Sequence, residues 1–160
     1  MPPPVDAQQF RHTMSHLASG VTIVTARDAA GRAWGMTASA VTSLSLGPPM
    51  LLVCIDRAAT IHDLLASTDV FGINVLEEGQ ADIARRFADR DRHGYDDHSG
   101  ARSPAGLPLV PGALAHLDVM RAAVYHGGDH AIITGTVGWG EAQDGRPLCY
   151  FRSAYQGLSR

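Results

Sequence analysis

Apolar positions in this chain cluster in short β-branched runs more often than at helical spacing. Val21-Thr22-Ile23-Val24-Thr25 is a strand of that kind, and Asp28-Ala29-Ala30-Gly31 is a hairpin turn leading into Ala33-Trp34-Gly35-Met36. After Pro48-Pro49, Met50 to Ile55 is a near-continuous apolar strand, and Val70 to Leu76 is another. Strands are also predicted over 115–125, 131–139 and 148–151, with turns at Gly127-Gly128-Asp129 and Asp144-Gly145. Helical spacing is confined to three stretches. Asp6 caps a helix over 7–18 that puts Phe10, Met14 and Leu17 on one side. Thr60 and Asp63 match a capping box for a helix over 61–66, and 81–87 packs Ile83, Ala84 and Phe87. Residues 88–112, rich in Asp, Arg, Gly and Pro, read as a long loop, and loops of that length are usually functional or mobile.

Seven or so strands, many hairpin signals and two or three short helices predict a mainly β fold: an antiparallel barrel with helices over its ends, in one domain over 1–160. The alternating strand and helix of a doubly wound sheet, with its glycine fingerprint, is absent. One segment departs from the strand pattern. Gly35 to Ser45 is too polar and too poor in large side chains for a core strand, yet it lies between two apolar β runs. Small hydroxyl residues at that density let a ligand approach the backbone and offer it donors, as a phosphate or a flat polar ring requires. A Ser/Thr-rich edge strand is the alternative.

Composition narrows the function classes. The 160 residues are 45% hydrophobic and 18% charged, which are globular values. A net charge of −3 argues against a nucleic-acid or anionic-membrane partner. No apolar run approaches the roughly 20 residues of a membrane span. Met1-Pro2-Pro3-Pro4 lacks the features of a signal peptide, so a cytoplasmic location is expected. All 13 basic residues are Arg, which excludes a Schiff-base lysine and a phosphate-loop lysine. Cys54 and Cys149 sit in apolar β runs and read as buried thiols. His12 and His16 stand at i,i+4 without a third ligand, and His93, Asp96, Asp97 and His98 sit in the polar loop, so no metal is expected.

Several motifs in order carry a resemblance. Phe10, Gly20 to Thr25, Gly35-Met36-Thr37-Ala38-Ser39, Thr42-Ser43-Leu44-Ser45 and Pro48-Pro49 come first. Phe71 to Leu76, Arg85-Arg86-Phe87, Gly128-Asp129-His130 and Tyr150-Phe151-Arg152 with Tyr155 continue it. From Phe10 to Tyr155 the chain resembles the flavin reductase component of two-component monooxygenases. That family comprises short-chain NAD(P)H:flavin oxidoreductases built on an FMN-binding split β-barrel of antiparallel Greek-key type. The sequence departs from many relatives at Ser39-Ala40, where they carry Asn, and at Ala58-Ala59, where they carry Ser.

The resemblance implies NAD(P)H-dependent reduction of free FMN or FAD, with NADH or NADPH as hydride donor, and supply of reduced flavin to a partner monooxygenase. It also implies a homodimer. Flavin contacts are expected from Thr37, Ala38, Ser39, Ala40 and Ser43 on the hydroxyl-rich wall. Cys54, Ile55 and Asp56 are expected to contribute from the following strand, and Ala59 with Thr60 from the helix start, where free N–H groups favour phosphate. Arg85, Arg86 and Phe87 complete the set, with only one of the two arginines able to face a phosphate. His130 is the expected catalytic contact to the nicotinamide, acting by placement and polarisation, with Phe151, Arg152 and Tyr155 beside it. A histidine tied structurally to Asp129 is the alternative. Competing readings of the whole are a non-catalytic flavin carrier or electron-transfer module, and a haem- or deazaflavin-binding relative.

Overall fold

In the computed structural model, residues 3–89, 94–95 and 100–158 are described. Their strands fall into two antiparallel sheets. The larger has the order β3 (Ala33–Ala38), β2 (Thr22–Arg27), β6 (Val70–Val75), β7 (Ala115–Gly127), β8 (His130–Ala142), β5 (Pro49–Asp56), β4 (Val41–Leu46). The smaller joins β1 (Ser19–Gly20), β9 (Leu148–Phe151) and β10 (Ala154–Gly157). Helices α1 (Ala7–Met14), α2 (His62–Ser67) and α3 (Ala81–Ala88) complete the fold, with a 3₁₀ turn at Glu78–Gln80 before α3.

The mainly β, antiparallel expectation holds, but closure does not: the hydrogen-bonded ladder ends at β3 on one side and β4 on the other. Those two edges are consecutive in the chain, separated only by Ser39 and Ala40. The hydroxyl-rich segment is therefore the corner where one edge of the sheet becomes the other. Its second half is the edge strand of the alternative reading, with Thr42, Ser43 and Leu44 exposed and a register shift between Ser43 and Ser45. A bulge of this kind blunts an open edge.

Burial explains why β2 lacks alternation. Val24 and Ala26 face a core with Val53, Ile55, Phe71, Ile73, Val119 and Ile133, while Val21 and Ile23 face a second cluster with Leu76, Ala84, Phe87, Val110 and Leu148. A strand covered on both faces needs apolar residues at successive positions. Helix α3 is half of that second cover, since Ala84 and Phe87 are buried and Ile83 packs beside them.

Four local expectations are corrected. Helix α1 ends at Met14, four residues early, with Asp6 accepting from the Gln9 N–H as predicted; its Phe10 and Met14, and Leu17 beyond it, are exposed. Helix α2 begins at His62 with Ile61 at the cap position and no side-chain cap, so Thr60 is not the N-cap. Residues 57–60 instead form turns in which Asp56 accepts from the Ala58 and Ala59 N–H groups. The described part of the long loop is anchored, with Leu107, Val110 and Ala113 buried. Thr25 Oγ1 donates to Pro108 O at 3.2 Å, Ala105 N donates to Asp118 Oδ2 at 3.0 Å, and Val110 N donates to Asn74 Oδ1 at 2.9 Å. Of the two thiols, Cys149 is buried and Cys54 only partly so.

Candidate active site

The β3–β4 corner opens on a cavity of about 290 Å³. Its first wall is strand β3, from Trp34 through Gly35, Met36 and Thr37 to Ser39. Trp34 is fixed from behind: its Nε1–H donates to Asp28 Oδ2 at 3.0 Å, and the Arg32 guanidinium lies 4.9 Å from the ring centre. The Trp34 bond, followed by the Arg32 backbone bond and charge, pulls the Asp28 carboxyl down to about 2. Met36 shares the face of Trp34 and packs on the main core, whereas Gly35 and Thr37 turn toward α3. Thr37 Oγ1 donates to Ala84 O at 2.6 Å, so this hydroxyl ties helix to strand and has only its lone pairs left for a ligand.

Glycine is required at position 35 by close approach. A Cβ there would stand 2.9 Å from Tyr95 Cδ2 and 3.0 Å from Phe87 Cε1. Phe87 and Tyr95 stack with centroids 4.9 Å apart, and Phe87 lines the cavity together with Ala88 and Asp89. The opposite wall comes from Asp56 at the end of β5 and from Ala59, Thr60 and Ile61. Tyr150 and Tyr155, paired across β9 and β10 with ring centres 5.3 Å apart, close the third side. Burial, and then Tyr150, push the Tyr155 hydroxyl above its ordinary pKa.

Of the residues singled out from the sequence, the cavity gathers Thr37, Ser39, Asp56, Ala59, Thr60, Phe87 and Tyr155. Ala38 is buried, with its carbonyl taking the Thr22 hydroxyl at 2.7 Å. The Ala40 carbonyl takes the Cys54 N–H at 2.9 Å, which locks the corner but commits that acceptor. Ile55 turns its side chain fully into the core, and Ser43 stands exposed on the edge strand. Arg85 lines an adjoining hollow shared with Ala88, Asp89, Tyr150 and Tyr155, its guanidinium 5.6 Å from the Tyr155 ring and bonded to Asp82 Oδ1 at 2.6 Å. Arg86, about 100° further round the helix, acts electrostatically on Tyr95 instead.

His130 lies outside the cavity lining. It pairs with Asp56 across β5 and β8, beside the wall on the neighbouring strand, and its Nδ1 is 2.7 Å from Asp129 Oδ1. That bond and the histidine's charge hold the Asp129 carboxyl below its usual range. Phe151 points the other way from Tyr150, toward α1, where its ring centre is 6.4 Å from that of His16. Arg152 follows it to the hairpin tip. Both ring nitrogens of His16 are engaged, Nδ1 with His12 O and Nε2 with Arg152. His93, Asp96, Asp97 and His98 lie outside the described residues. Trp34, Met36 and Tyr150 are cavity residues that sequence reasoning missed.

The lining suits a flat heteroaromatic ring. Trp34, Met36, Phe87, Ile61 and the tyrosine pair offer flat apolar surface, while Ser39, Thr60 and Asp56 supply polar contacts at the rim.

Known proteins agree with that character. The sequence matches the family described as flavin reductase like domain over residues 14–159. It is 40% identical over 139 residues to the NADH-dependent FAD reductase of Streptomyces globisporus, covering 84% of this chain and 75% of that one. It is 39% identical over 138 residues to the NADH:riboflavin 5′-phosphate oxidoreductase of Streptomyces pristinaespiralis, covering 84% and 77%. Among solved structures, BorF, the flavin reductase component of a bacterial two-component tryptophan halogenase, superposes with a TM-score of 0.90 at 35% identity, covering 97% and 99%. The Streptomyces globisporus NADH:FAD oxidoreductase SgcE6 in complex with NAD and FAD fragments gives 0.87 at 32%, covering 99% and 98%. The chain belongs to the flavin reductase like domain family.

Proposed function

We propose that this protein is an NAD(P)H-dependent flavin reductase whose β3–β4 cavity holds the isoalloxazine ring of FMN or FAD. Its product is reduced flavin, delivered to a separate flavin-dependent monooxygenase. The observation that carries the assignment is the cavity itself: a flat, aromatic, partly polar slot at the corner of a sheet, in a chain of this family. The sheet with its two edges meeting at Ser39-Ala40 is read as the split form of a β-barrel. Relatives named as reductases favour turnover over the flavin-carrier alternative.

Flavin, when bound, supplies the ring that accepts a hydride from the reduced nicotinamide; the chain supplies position and field. Trp34 and Met36 form a rigid floor, fixed by the Asp28 bond. Phe87, clamped between Gly35 and Tyr95, excludes water from the helix side. The nicotinamide is assigned to the tyrosine side, where Tyr150 and Tyr155 offer stacking surface. His130, oriented by Asp129, acts beside Asp56 by polarising and placing, since moving a hydride to a ring needs no base at carbon.

Exposed apolar side chains support the homodimer. Leu46 is 95% exposed on the edge strand, with Leu44 beside it, and Phe10, Met14 and Leu17 form an exposed stripe at the N-terminal helix. Large apolar side chains exposed in groups mark interaction surfaces, and a second copy of the chain would cover these.

Steady-state rates with the four combinations of NADH or NADPH and FMN or FAD test the reading. Oxidation well above the protein-free blank is expected for at least one combination. Rates equal to the blank in all four overturn it.

A further inference from the structure

Arg152 (φ 50°) and Ser153 (φ 61°) form the tip of the β9–β10 hairpin in a left-handed conformation that L side chains rarely adopt. Two-residue turns of this form favour Asn and Gly. The tip is held against α1, because Arg152 N–H donates to Ser15 O at 2.8 Å. Its guanidinium reaches Nε2 of His16 at 3.1 Å. The other nitrogen of that ring, Nδ1, lies 3.0 Å from His12 O. A carbonyl only accepts, so Nδ1 carries the proton and Nε2 accepts from Arg152. A guanidinium bonded to a neutral imidazole keeps its full positive charge. No ion pair among the described residues neutralises Arg152 or Arg11.

Arg11, His12, Ser15, His16, Arg152 and Ser153 line a cavity of about 370 Å³. The lining holds two guanidiniums, two imidazoles and two hydroxyls, with no carboxylate among them. That donor set matches a phosphoryl group, to which Arg offers a planar fork of N–H donors. The cavity is also joined to the flavin slot. Ser153 lines both this cavity and the hollow beside Arg85, and Ala88, Asp89, Tyr150 and Tyr155 line both that hollow and the slot. The three form one path over the hairpin.

We propose that the Arg11–Arg152 cavity binds the phosphoryl groups of a dinucleotide whose ring end lies in or against the β3–β4 slot. The ring end rests on the flavin reductase assignment, whereas the anion site stands on its own geometry. A diphosphate is common to the nicotinamide dinucleotide and to FAD, and kinetics distinguish them.

Calorimetric titration of the full chain with inorganic pyrophosphate reads the site without turnover. The wild-type protein binds, and Arg11→Gln and Arg152→Gln each weaken binding about tenfold or more. Arg32→Gln, remote and paired with Asp28, leaves it unchanged. The Arg11 side chain enters no hydrogen bond among the described residues, so Arg11→Gln preserves the fold even if Arg152→Gln loosens the hairpin. In turnover, a KM rise of similar size for NADH with kcat retained assigns the site to the nicotinamide dinucleotide. A rise for FAD but not for FMN assigns it to the flavin adenine dinucleotide. Absence of pyrophosphate binding, equal binding by Arg11→Gln, or unchanged KM for both dinucleotides overturns the proposal. A protein that binds pyrophosphate but oxidises no reduced nicotinamide overturns the reductase assignment and leaves the anion site standing.

Discussion

Gly35→Ala tests whether the slot depends on the clamp between β3 and α3. The added methyl would lie 2.9 Å from Tyr95 Cδ2 and 3.0 Å and 3.2 Å from two carbons of the Phe87 ring. Phe87 is only 7% exposed and stacked on Tyr95, so it cannot swing away without breaking that contact. Overpacking a filled site costs about 1–3 kcal/mol. Removing a glycine from a strand returns about 0.5–1 kcal/mol. The difference is a loss of about 0–2.5 kcal/mol, centred near 1.3 kcal/mol, which for a chain of this size lowers Tm by about 3–5 °C. Because Phe87 also lines the slot, flavin Kd should rise about three- to tenfold. Thermal melts and fluorescence titration with FMN and FAD measure the two effects. A variant with Tm at or above the wild-type value and unaltered flavin affinity refutes the clamp.

Asn74→Ala removes the bonds to Ile23 O at 3.1 Å, Val110 N at 2.9 Å and His116 Nδ1 at 2.8 Å from a buried position, leaving groups unpaired; urea unfolding should show a loss of about 3–5 kcal/mol, and a loss under 1 kcal/mol contradicts the anchoring. Asp28, held at about 2 in the fold against an ordinary 3.8, contributes stability that is complete above the unfolded value and is lost as pH falls through the folded one. The urea midpoint should therefore climb from pH 2 to pH 4 and do so less in Asp28→Asn; parallel curves contradict the assigned bonds. His130→Ala should cut kcat for NADH oxidation about tenfold or more before it alters flavin Kd, since the residue stands next to Asp56 but outside the lining of the slot. Rate and flavin binding falling together would make His130 a structural support.

Strands were legible where packing leaves a one-dimensional trace. β2, β5 and β6 are buried on the faces their apolar runs predict, and α3 shows its buried Ala84 and Phe87 at helical spacing. The corner was legible as an anomaly, since no other strand carries so many small hydroxyls. Parity was not. Tyr150 and Phe151 are both aromatic, and on a short edge sheet nothing in the sequence says which faces the cavity; cross-strand pairing of Tyr150 with Tyr155 decides it. The hairpin tip was missed because Arg152-Ser153 lacks the Asn or Gly that signals such a turn. The capping box failed because the turns after Asp56 run on to Ile61, and Ala59 O takes the His62 N–H that a Thr60 cap would have accepted. Barrel closure depends on long-range pairing between chain segments, which local pattern does not encode.

A crystal structure of the protein soaked with FAD tests the central claim most directly. The ring should lie in the slot between Trp34–Ser39 and Asp56–Ile61, with Phe87 at one side and the Tyr150–Tyr155 pair at the other. Flavin density elsewhere on the protein, with that slot filled by its own side chains, would contradict it.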